Sequence, residues 1–445
     1  MSQGGAVSER PGRLEPERPE RLESSESPER LKRLERLEWP VGPERTVVAP
    51  SVESAARERE ELGICALLSV PRIGSALGRR LVERFGRAEA FGALCEGGSD
   101  LLGVIGDRIN AQAVVGAARA SEGSGQRAYD RTRRLGHRIW IPGDEGWNAA
   151  FNGEPSPPLA LFAAGKLSAL DYPRVAIVGT RSATPSGNEF AQRLGRDLAN
   201  AGVGVVSGLA FGIDGSAHAG ALTGGALPDR PTAPIGVVGS GLDVIYPRQH
   251  RELWRRVAEA GLLLSEYPPG MRPTERSFPA RNRLIAALSE VVVVVESNLS
   301  GGSLQTAECA WARGRKVMAV PGNPFHPSCA GSNALLRRVF ATEQRVVPCI
   351  DTSDVLTLLA LEQAIDPSRL DFRPDPTPFQ RQLLQELGWD PRSASQLVVS
   401  LGAAPGSSAG SSLGVTSGKV ASALGELELD GWVRRLGGMW QQCPA

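Results

Sequence analysis

The sequence has few residues with which to bind a metal or form a redox pair. It contains only six cysteines and four histidines in 445 residues. No two cysteines have C-x-x-C spacing, and no Cys or His cluster has the spacing of a zinc site. The sequence therefore predicts no metal site and no bound cofactor.

Long apolar runs are also missing. No stretch approaches the roughly 18 apolar residues that a membrane span needs, and the polar N-terminus lacks the apolar core of a signal peptide. We expect a cytoplasmic protein with reduced thiols and no membrane span. A net charge of +1, from 50 Lys+Arg against 49 Asp+Glu, neither requires nor excludes a nucleic-acid partner.

The composition is that of a folded chain with more than one domain. Hydrophobic residues make up 41% and charged residues 22%, which excludes wholesale disorder, collagen-like sequence and a disulfide scaffold. Residues 1–56 are the exception, because they are rich in Pro, Arg and Glu and have few apolar positions. They are predicted to form a disordered tail.

Residues 57–165 have a helical pattern and are predicted to form a helical domain. The segment 67–74 is similar to a helix-hairpin-helix, whose hairpin amides can contact a phosphate backbone. Arg72, however, replaces the first hairpin glycine. A small helical packing domain fits the pattern equally well, so both interpretations stay open.

Residues 166–350 alternate short β-rich runs with helical runs, which indicates βαβ units and a Rossmann-like parallel sheet. Ser186 and Glu189 have the spacing of a capping box at the start of the first helix, and Gly202 follows its end. The predicted strands are 174–178, 203–207, 235–238, 262–265, 291–295 and 317–320.

The last part of the chain is predicted to be a linker, 351–376, and a small winged-helix-like domain, 377–445. Its pattern gives three helical stretches followed by a hairpin. Residues 416–435 carry three basic and three acidic side chains, a net charge of zero. We therefore expect this domain to bind protein or tune assembly rather than read duplex DNA.

Basic charge is concentrated on the α/β part of the chain. Residues 173–340 contain 18 Lys+Arg and 12 Asp+Glu, a balance of +6, whereas the remainder contains 32 and 37, a balance of −5. Small and hydroxyl residues follow three of the predicted strands, where helix N-termini can present free amides to anions. The candidate anion-binding residues in these loops are Gly179, Thr180, Arg181 and Ser182, then Ser207, Gly208, Phe211 and Gly212, then Ser300, Gly301, Gly302 and Ser303.

A fourth candidate segment is Arg281-Asn282-Arg283, just before an apolar helical run. Its two guanidinium groups can fork onto phosphate oxygens, while Asn282 can pin a loop or read a base edge. Two cations at a helix start oppose the helix dipole, so an anion is expected nearby, and Glu296 is one candidate. Asp214 is expected to brace the helix or loop, with His218 bonded to it.

Several enzyme motifs are incomplete. Gly239-Ser240-Gly241 is followed by Val244 where a dinucleotide fingerprint needs its third glycine. The P-loop-like stretch 414–420 has the wrong spacing and no hydroxyl after Lys419. The G-x-S-x-G matches at Ser408 and Ser412 lie in a Gly/Ser-rich loop with no strand before them. The sequence thus predicts no enzyme of these classes.

Over residues 57–445 the sequence resembles the DNA-processing protein A family, also called Smf. The resemblance is carried by long motifs in a fixed order: V-G-T-R at 178–181, S-G-L-A-F-G-I-D at 207–214, G-L-D-V-I-Y-P at 241–247, S-E-Y-P-P-G at 265–270, F-P-A-R-N-R-L-I-A at 278–286, S-G-G-S-L-Q-T-A at 300–307 and A-V-P-G at 319–322.

The resemblance implies an extended Rossmann-like domain with an N-terminal SAM-like domain and a C-terminal winged helix. It implies a non-enzymatic homodimer that binds and protects single-stranded DNA in natural transformation and loads the RecA recombinase onto it. The DNA pocket would correspond to the loop 179–181 and the segment 281–283. Phe211 departs from the basic or tyrosyl residue common in the family, but an exposed phenylalanine can stack on a base.

Two alternatives remain from the residues alone. One is a nucleotide enzyme on a similar sheet, such as a nucleoside-monophosphate phosphoribohydrolase of the lysine-decarboxylase-like group. Its P-G-G-x-G-T-x-x-E motif is poorly matched, because Ser300 to Glu308 lacks the leading proline and much of the glycine pattern. The other is a protein scaffold with a vestigial nucleotide pocket.

Overall fold

A computed structural model describes most of the chain from residue 52 onward. The described residues are 52–71, 73–106, 109–147, 151, 154–224, 233–340, 344–361, 376–402 and 416–443. The predicted tail lies outside them as far as residue 51. A helix begins at Val52, so the last five residues of the predicted tail are helical instead. Arg72 and most of the predicted linker also lie outside the described residues.

The described strands form one large sheet and one hairpin. The strands of the large sheet are β1 Arg138–Trp140, β2 Leu161–Gly165, β3 Arg174–Val178, β4 Gly204–Ser207, β5 Ile235–Val238, β6 Leu262–Ser265, β7 Val291–Val294, β8 Lys316–Ala319 and β9 Val346–Pro348. The hairpin consists of β10 Val433–Leu436 and β11 Met439–Gln442.

The α-helices fall into three groups along the chain. The first group is α1 Val52–Leu68, α2 Ser75–Phe85, α3 Ala90–Glu96, α4 Ser99–Ile105, α5 Ala111–Ala120 and α6 Ser124–Arg134. The second is α7 Pro185–Asn200, α8 Ile213–Ala221, α9 Arg251–Ala260, α10 Ser277–Ala287, α11 Gly302–Trp311, α12 Ala330–Leu336 and α13 Thr352–Leu361. The third is α14 Pro378–Leu387, α15 Ala394–Gly402 and α16 Ser417–Leu429.

The large sheet has the order β1-β2-β6-β5-β4-β3-β7-β8-β9. Every neighbouring pair from β6 to β9 is parallel, whereas β1 with β2 and β2 with β6 are antiparallel. The predicted Rossmann-like parallel sheet is therefore confirmed. The sequence did not predict β1 and β2, so the α/β part begins at residue 138 rather than 166.

The central strands are buried on both faces, which explains their nearly continuous apolar sequences. In β3, Ala176 and Val178 face one apolar core, and Val175 and Ile177 face the other. The first core contains apolar residues of α10 and α11, and the second contains residues of α7, α8 and α13. Two helical layers thus cover the two faces of the sheet. The ends of the strands are not covered by these layers and connect to loops.

The first group of helices and the last part of the chain have apolar clusters of their own. Residues of α1 to α5 form one cluster around Leu67, Leu81 and Leu94. In the third group, α14, α15 and α16 pack with the hairpin around Leu397 and Leu424. The order of three helices followed by a hairpin is the order predicted from the sequence. Within the described residues, no helix is long and apolar enough to cross a membrane.

Candidate nucleic-acid interface

The strand order of the sheet reverses between β3 and β7. From β3 the chain adds β4, β5 and β6 on one side, and then returns to add β7, β8 and β9 on the other. Because successive crossovers lead away in opposite directions, the loops after β3 and β7 separate and leave a crevice. Ligands of open α/β sheets bind in such a crevice at the carboxyl ends of the strands.

A cleft of about 300 Å³ occupies this position. It brings together segments that are far apart in the sequence, namely the loops after β3, β4 and β7 and the first turns of α10 and α11. Its lining residues are Val178, Gly179, Thr180, Arg181, Ala210, Asp214, Phe278, Pro279, Arg281, Asn282, Ile285, Asn298, Gly301, Gly302, Ser303, Gln305 and Thr306.

The loop after β3 forms one wall of the cleft and is tightly packed. The Thr180 amide donates to the Glu296 carbonyl oxygen at 2.8 Å. A Cβ atom at Gly179 would lie 2.8 Å from that same oxygen, so only glycine fits there. Arg181 is exposed, and its guanidinium carbon lies 4.7 Å from the centre of the Phe278 ring. This guanidinium is free to meet an anion at the mouth of the cleft.

The opposite wall is the N-terminus of α11. Gly301 is the N-cap residue, with extended φ and ψ of −68° and 143°, and no side chain caps the helix. The Asn282 amide nitrogen donates to the Gly302 carbonyl at 3.1 Å and pins the first turn. An uncapped helix start has amides without intrahelical partners and a partial positive charge, which favour a phosphate.

Arg281 lies beneath the cleft and is only 5% exposed. Its Nη1 atom donates to the carbonyl oxygens of Gly208, at 2.8 Å, and Val237. A Cβ atom at position 208 would overlap this guanidinium, which requires the glycine of the loop after β4. The prediction that Arg281 forks freely onto phosphates is therefore corrected, because its Nη1 atom already donates to two buried carbonyls, while Nε has no hydrogen-bond partner within the described residues.

Asp214 supplies the negative charge that faces Arg281. Its carboxylate accepts a hydrogen bond from the Gly208 amide at 3.2 Å. Burial raises the pKa of Asp214, while Arg281 and the backbone amides of Ala210, Gly208 and Gly179 oppose that rise. Burial lowers the pKa of Arg281, opposed by Asp214. Asp214 is thus bonded to the main chain of the loop after β4.

Arg283 does not reach the cleft. Its guanidinium forms an ion pair with Glu266 and donates to the Ser156 carbonyl and, at 3.3 Å, to Ser75 Oγ of α2. Two residues along a helix turn the side chain by about 200°, so Arg281 and Arg283 face different surroundings. The predicted phosphate contact of Arg283 is wrong; the residue ties the first group of helices to the sheet.

Glu296 caps α7 and compensates neither arginine. Its carboxylate accepts hydrogen bonds from the Thr184 amide at 2.9 Å and the Thr184 hydroxyl at 2.5 Å. Thr184 is the N-cap residue of α7, where its side chain accepts from the Gly187 amide. The predicted capping box of Ser186 and Glu189 is therefore wrong by two positions, because Pro185 already occupies the first helical turn.

His218 is buried and structural, but it is not bonded to Asp214. Its Nε2 atom lies 3.2 Å from the Ile235 carbonyl oxygen, and Nδ1 has no hydrogen-bond partner within the described residues. Burial lowers the pKa of His218 to about 4. The neutral ring therefore donates from Nε2 to the main chain of β5.

Several predicted site residues support the cleft without lining it. Ser207 is buried and donates to the Ile177 carbonyl at 2.6 Å, which joins β4 to β3. Gly212 has a φ of 71° that only glycine adopts readily, as the loop turns into α8. The residues of the predicted set that do not line the cleft are Ser182, Ser207, Gly208, Phe211, Gly212, Arg283 and Ser300.

Sequence reasoning did not select Phe278, Asn298, Gln305 and Thr306 as site residues, although they line the cleft. Phe278 begins the F-P-A-R-N-R motif, and the other three lie in or beside S-G-G-S-L-Q-T-A. The signal that could have selected them is their spacing. Gln305 and Thr306 follow the helix start by one turn and so return to its cleft-facing side.

Phe211 lies outside the cleft, on the loop between β4 and α8. It is 40% exposed, and the edge of its ring packs against His250 with the ring centres 4.9 Å apart. Its stacking on a base stays a prediction. We expect Phe211→Ala to weaken single-strand binding by about 1–3 kcal/mol, the effect of losing one aromatic platform. A fluorescence-anisotropy titration checks this, and an unchanged Kd would refute the stacking.

The fold and cleft define a class of protein: a Rossmann-like α/β protein with a cleft at the switch point, at the uncapped start of a helix, and without a dinucleotide fingerprint. Comparisons with known proteins give the family. Residues 138–351 match the family described as DNA recombination-mediator protein A. Over those residues the chain belongs to the DNA-processing protein A family, as the sequence motifs indicated.

The curated relatives share the central part of the chain. The putative DNA processing protein DprA of Mycobacterium tuberculosis is 42% identical over 217 residues, which are 46% of this chain and 54% of that protein. The DNA processing protein DprA of Streptococcus pneumoniae is 43% identical over 180 residues, 40% of this chain and 61% of that protein. The matches thus span little more than half of each relative's length.

A solved structure supports the same family. The X-ray structure of DNA processing protein A from Streptococcus pneumoniae has a TM-score of 0.54 and 27% sequence identity with this chain. It covers 67% of this chain and 97% of the other. The fold similarity therefore extends beyond the region that the curated relatives share.

Proposed function

We propose that this protein is a cytoplasmic, non-enzymatic protein that binds single-stranded DNA in the cleft and takes part in DNA processing during natural transformation. One observation carries the proposal. At the switch point, the uncapped N-terminus of α11 and the exposed Arg181 face the same cleft, beside the ring of Phe278. Amides and a guanidinium bind phosphates, and an aromatic ring stacks on any base.

This chemistry favours a single strand over a duplex. Arg181 and the helix N-terminus contact the backbone without reading base edges, so binding is expected to be sequence-independent and strongly salt-dependent. A cleft that combines backbone contacts with a ring also needs bases that are not paired, since a paired base cannot lie on Phe278. A family of DNA recombination mediators agrees with a DNA ligand.

Arg181→Ala tests the site. Loss of one charge-assisted phosphate contact is expected to weaken binding of an oligo-dT strand by about 1.5–3 kcal/mol at low salt. It should also reduce the slope of log K against log[salt] by about 0.7. The measurement is a fluorescence-anisotropy titration of a labelled strand over a salt series.

The matched control is Arg193→Ala, which removes an exposed arginine from the surface of α7. It is expected to leave affinity and salt slope unchanged. Equal losses in Arg181→Ala and Arg193→Ala would mean that general charge, and not the cleft, holds the strand. Weak binding by the unaltered protein would contradict the proposed function itself.

The finer role rests on the family resemblance alone. We propose that the protein acts as a homodimer, protects incoming strands and loads the RecA recombinase onto them. The small domain after residue 376 is proposed to act in protein contact or assembly, in keeping with the zero net charge of residues 416–435.

A nucleotide enzyme is the alternative, and the carboxylate of the cleft argues against it. Among the described lining residues, Asp214 is the carboxylate, and it is buried and held by the Gly208 amide beside Arg281. A carboxylate that is buried and already bonded in this way is poorly placed to activate a water molecule. We expect no release of base from nucleoside monophosphates incubated with the protein; release that Asp214→Asn abolishes would favour the enzyme.

A further inference from the structure

A line of aromatic contacts leads from the mouth of the cleft toward β5. The Arg181 guanidinium lies over the Phe278 ring, and the Phe278 ring centre lies 5.4 Å from that of Tyr246, with the ring planes tilted by 42°. Tyr246 belongs to the loop after β5 and is 43% exposed. On this side of the cleft, Phe278 is therefore followed by a second, partly exposed ring.

The loops after β5 and β6 form one surface beside Tyr246. The Gly241 amide donates to the Met271 carbonyl at 2.9 Å, and the Gly270 amide donates to Asp243 Oδ1 at 2.8 Å. Ser265 Oγ donates to the Ser240 carbonyl at 2.7 Å. These bonds hold the two loops together, so residues on either loop have fixed positions relative to the cleft.

This surface carries unpaired positive charge. Arg272 and Arg276 are exposed, and neither has an ion pair within the described residues. The acidic groups nearby are already engaged: Glu266 pairs with Arg283, and Asp243 pairs with Arg131 at 2.5 Å. Glu275 is the one further acidic residue between positions 266 and 276. The local excess of positive charge favours contact with phosphates.

The other side of the cleft also has an exposed aromatic residue, but it lacks nearby basic residues in the sequence. Phe325, in the loop after β8, is 93% exposed. Ser328 Oγ of the same loop donates to the Ser182 carbonyl at 3.3 Å, which holds this loop against the loop after β3. Residues 297–312 and 317–336, however, contain no Lys or Arg. A strand carries a phosphate on every nucleotide, so an exit without cations is disfavoured.

We propose that the single strand leaves the cleft over Phe278 and Tyr246, so that a base stacks on Tyr246 while its phosphates lie against Arg272 and Arg276. This inference rests on the proposed function, because it extends the same DNA site. It assigns a direction to the strand: toward β5 and β6, and away from Phe325. Stacking supplies affinity for any base, and the arginines supply the salt dependence.

Tyr246→Ala and Phe325→Ala form a matched pair, since both remove an exposed ring beside the same cleft. We expect Tyr246→Ala to weaken binding of an oligo-dT strand of about 12 nucleotides by roughly tenfold. Tyr246→Phe keeps the ring and should bind like the unaltered protein. Phe325→Ala is expected to change the affinity by less than about twofold.

The arginines are tested through salt dependence. The double variant Arg272→Gln and Arg276→Gln should lower the slope of log K against log[salt] by about 1.4, or 0.7 for each lost phosphate contact. Photo-crosslinking of a strand containing 5-iodouracil gives an independent readout, in which peptide mass spectrometry should find the adduct on Tyr246.

The outcomes separate this inference from the proposed function. If the unaltered protein does not bind the strand, or Arg181→Ala has no effect, the proposed function fails. If Arg181→Ala weakens binding but Tyr246→Ala binds within twofold of the unaltered protein, the direction of the strand is wrong and the cleft stands. A loss in Phe325→Ala equal to or larger than that in Tyr246→Ala, or an adduct on Phe325, also overturns it.

Discussion

Replacing Arg281 by methionine is expected to lower the free energy of unfolding by about 3–5 kcal/mol. The change removes two hydrogen bonds to the carbonyls of Gly208 and Val237 and leaves the buried Asp214 carboxylate without its cation. A buried charge that loses its partner costs several kcal/mol, whereas a surface charge costs little. Urea unfolding at pH 7 measures the effect.

Two further variants make this test specific. Arg276→Met removes an exposed arginine five residues before Arg281 and should leave the stability nearly unchanged. Arg281→Met combined with Asp214→Asn removes both charges, so its cost should be smaller than the sum of the two single costs. If Arg281→Met unfolds like the unaltered protein and only loses DNA affinity, Arg281 is a phosphate ligand rather than a brace.

The second large effect is the contribution of His218 to the pH dependence of stability. Burial holds its folded-state pKa at about 4, below the unfolded value of 6.5. Between these two values the unfolded chain binds a proton that the folded chain does not. Stability from this residue is therefore fully present above pH 6.5 and is lost as the pH falls toward 4, by about 3 kcal/mol in total.

The variant His218→Gln tests this linkage. Its amide can still donate to the Ile235 carbonyl but does not titrate, so its loss of stability between pH 6.5 and 4 should be smaller by about 3 kcal/mol. Burial also lowers the pKa of His137 to about 4. Part of the pH dependence of stability therefore remains in both proteins. The exposed His326→Gln serves as the control. An equally steep slope in His218→Gln would contradict the assignment.

Strands with a long apolar run could be predicted from the sequence. The structure has 174–178, 235–238 and 262–265 with the predicted bounds. β1 and β2 were not predicted for local reasons: β1 has only three residues, and the small residues of β2, Leu-Phe-Ala-Ala-Gly, suit a helix as well as a strand. Their strand form depends on pairing: β2 pairs with β6, which is 97 residues or more away in the chain, and β1 pairs with β2.

The candidate site was predictable as a set of loops but not as a set of contacts. Adjacent loops after β3 and β7 follow from a parallel sheet, and Arg181 and Gly301 to Ser303 all line the cleft. The role of each arginine was not predictable, because Arg281 and Arg283 are two positions apart and only the fold decides which carboxylate each one meets. Glu296 was misassigned for the same reason, since its partner Thr184 lies 112 positions away.

The most direct test of the proposed DNA site is a crystal structure of the full chain with a short oligo-dT strand. We expect a phosphate against the amides at the start of α11 and the Arg181 guanidinium, with a base on Phe278. Arg281 and Arg283 should keep their protein partners in that complex. A strand bound elsewhere, with the cleft between β3 and β7 left empty, would contradict the DNA site argued from this structure.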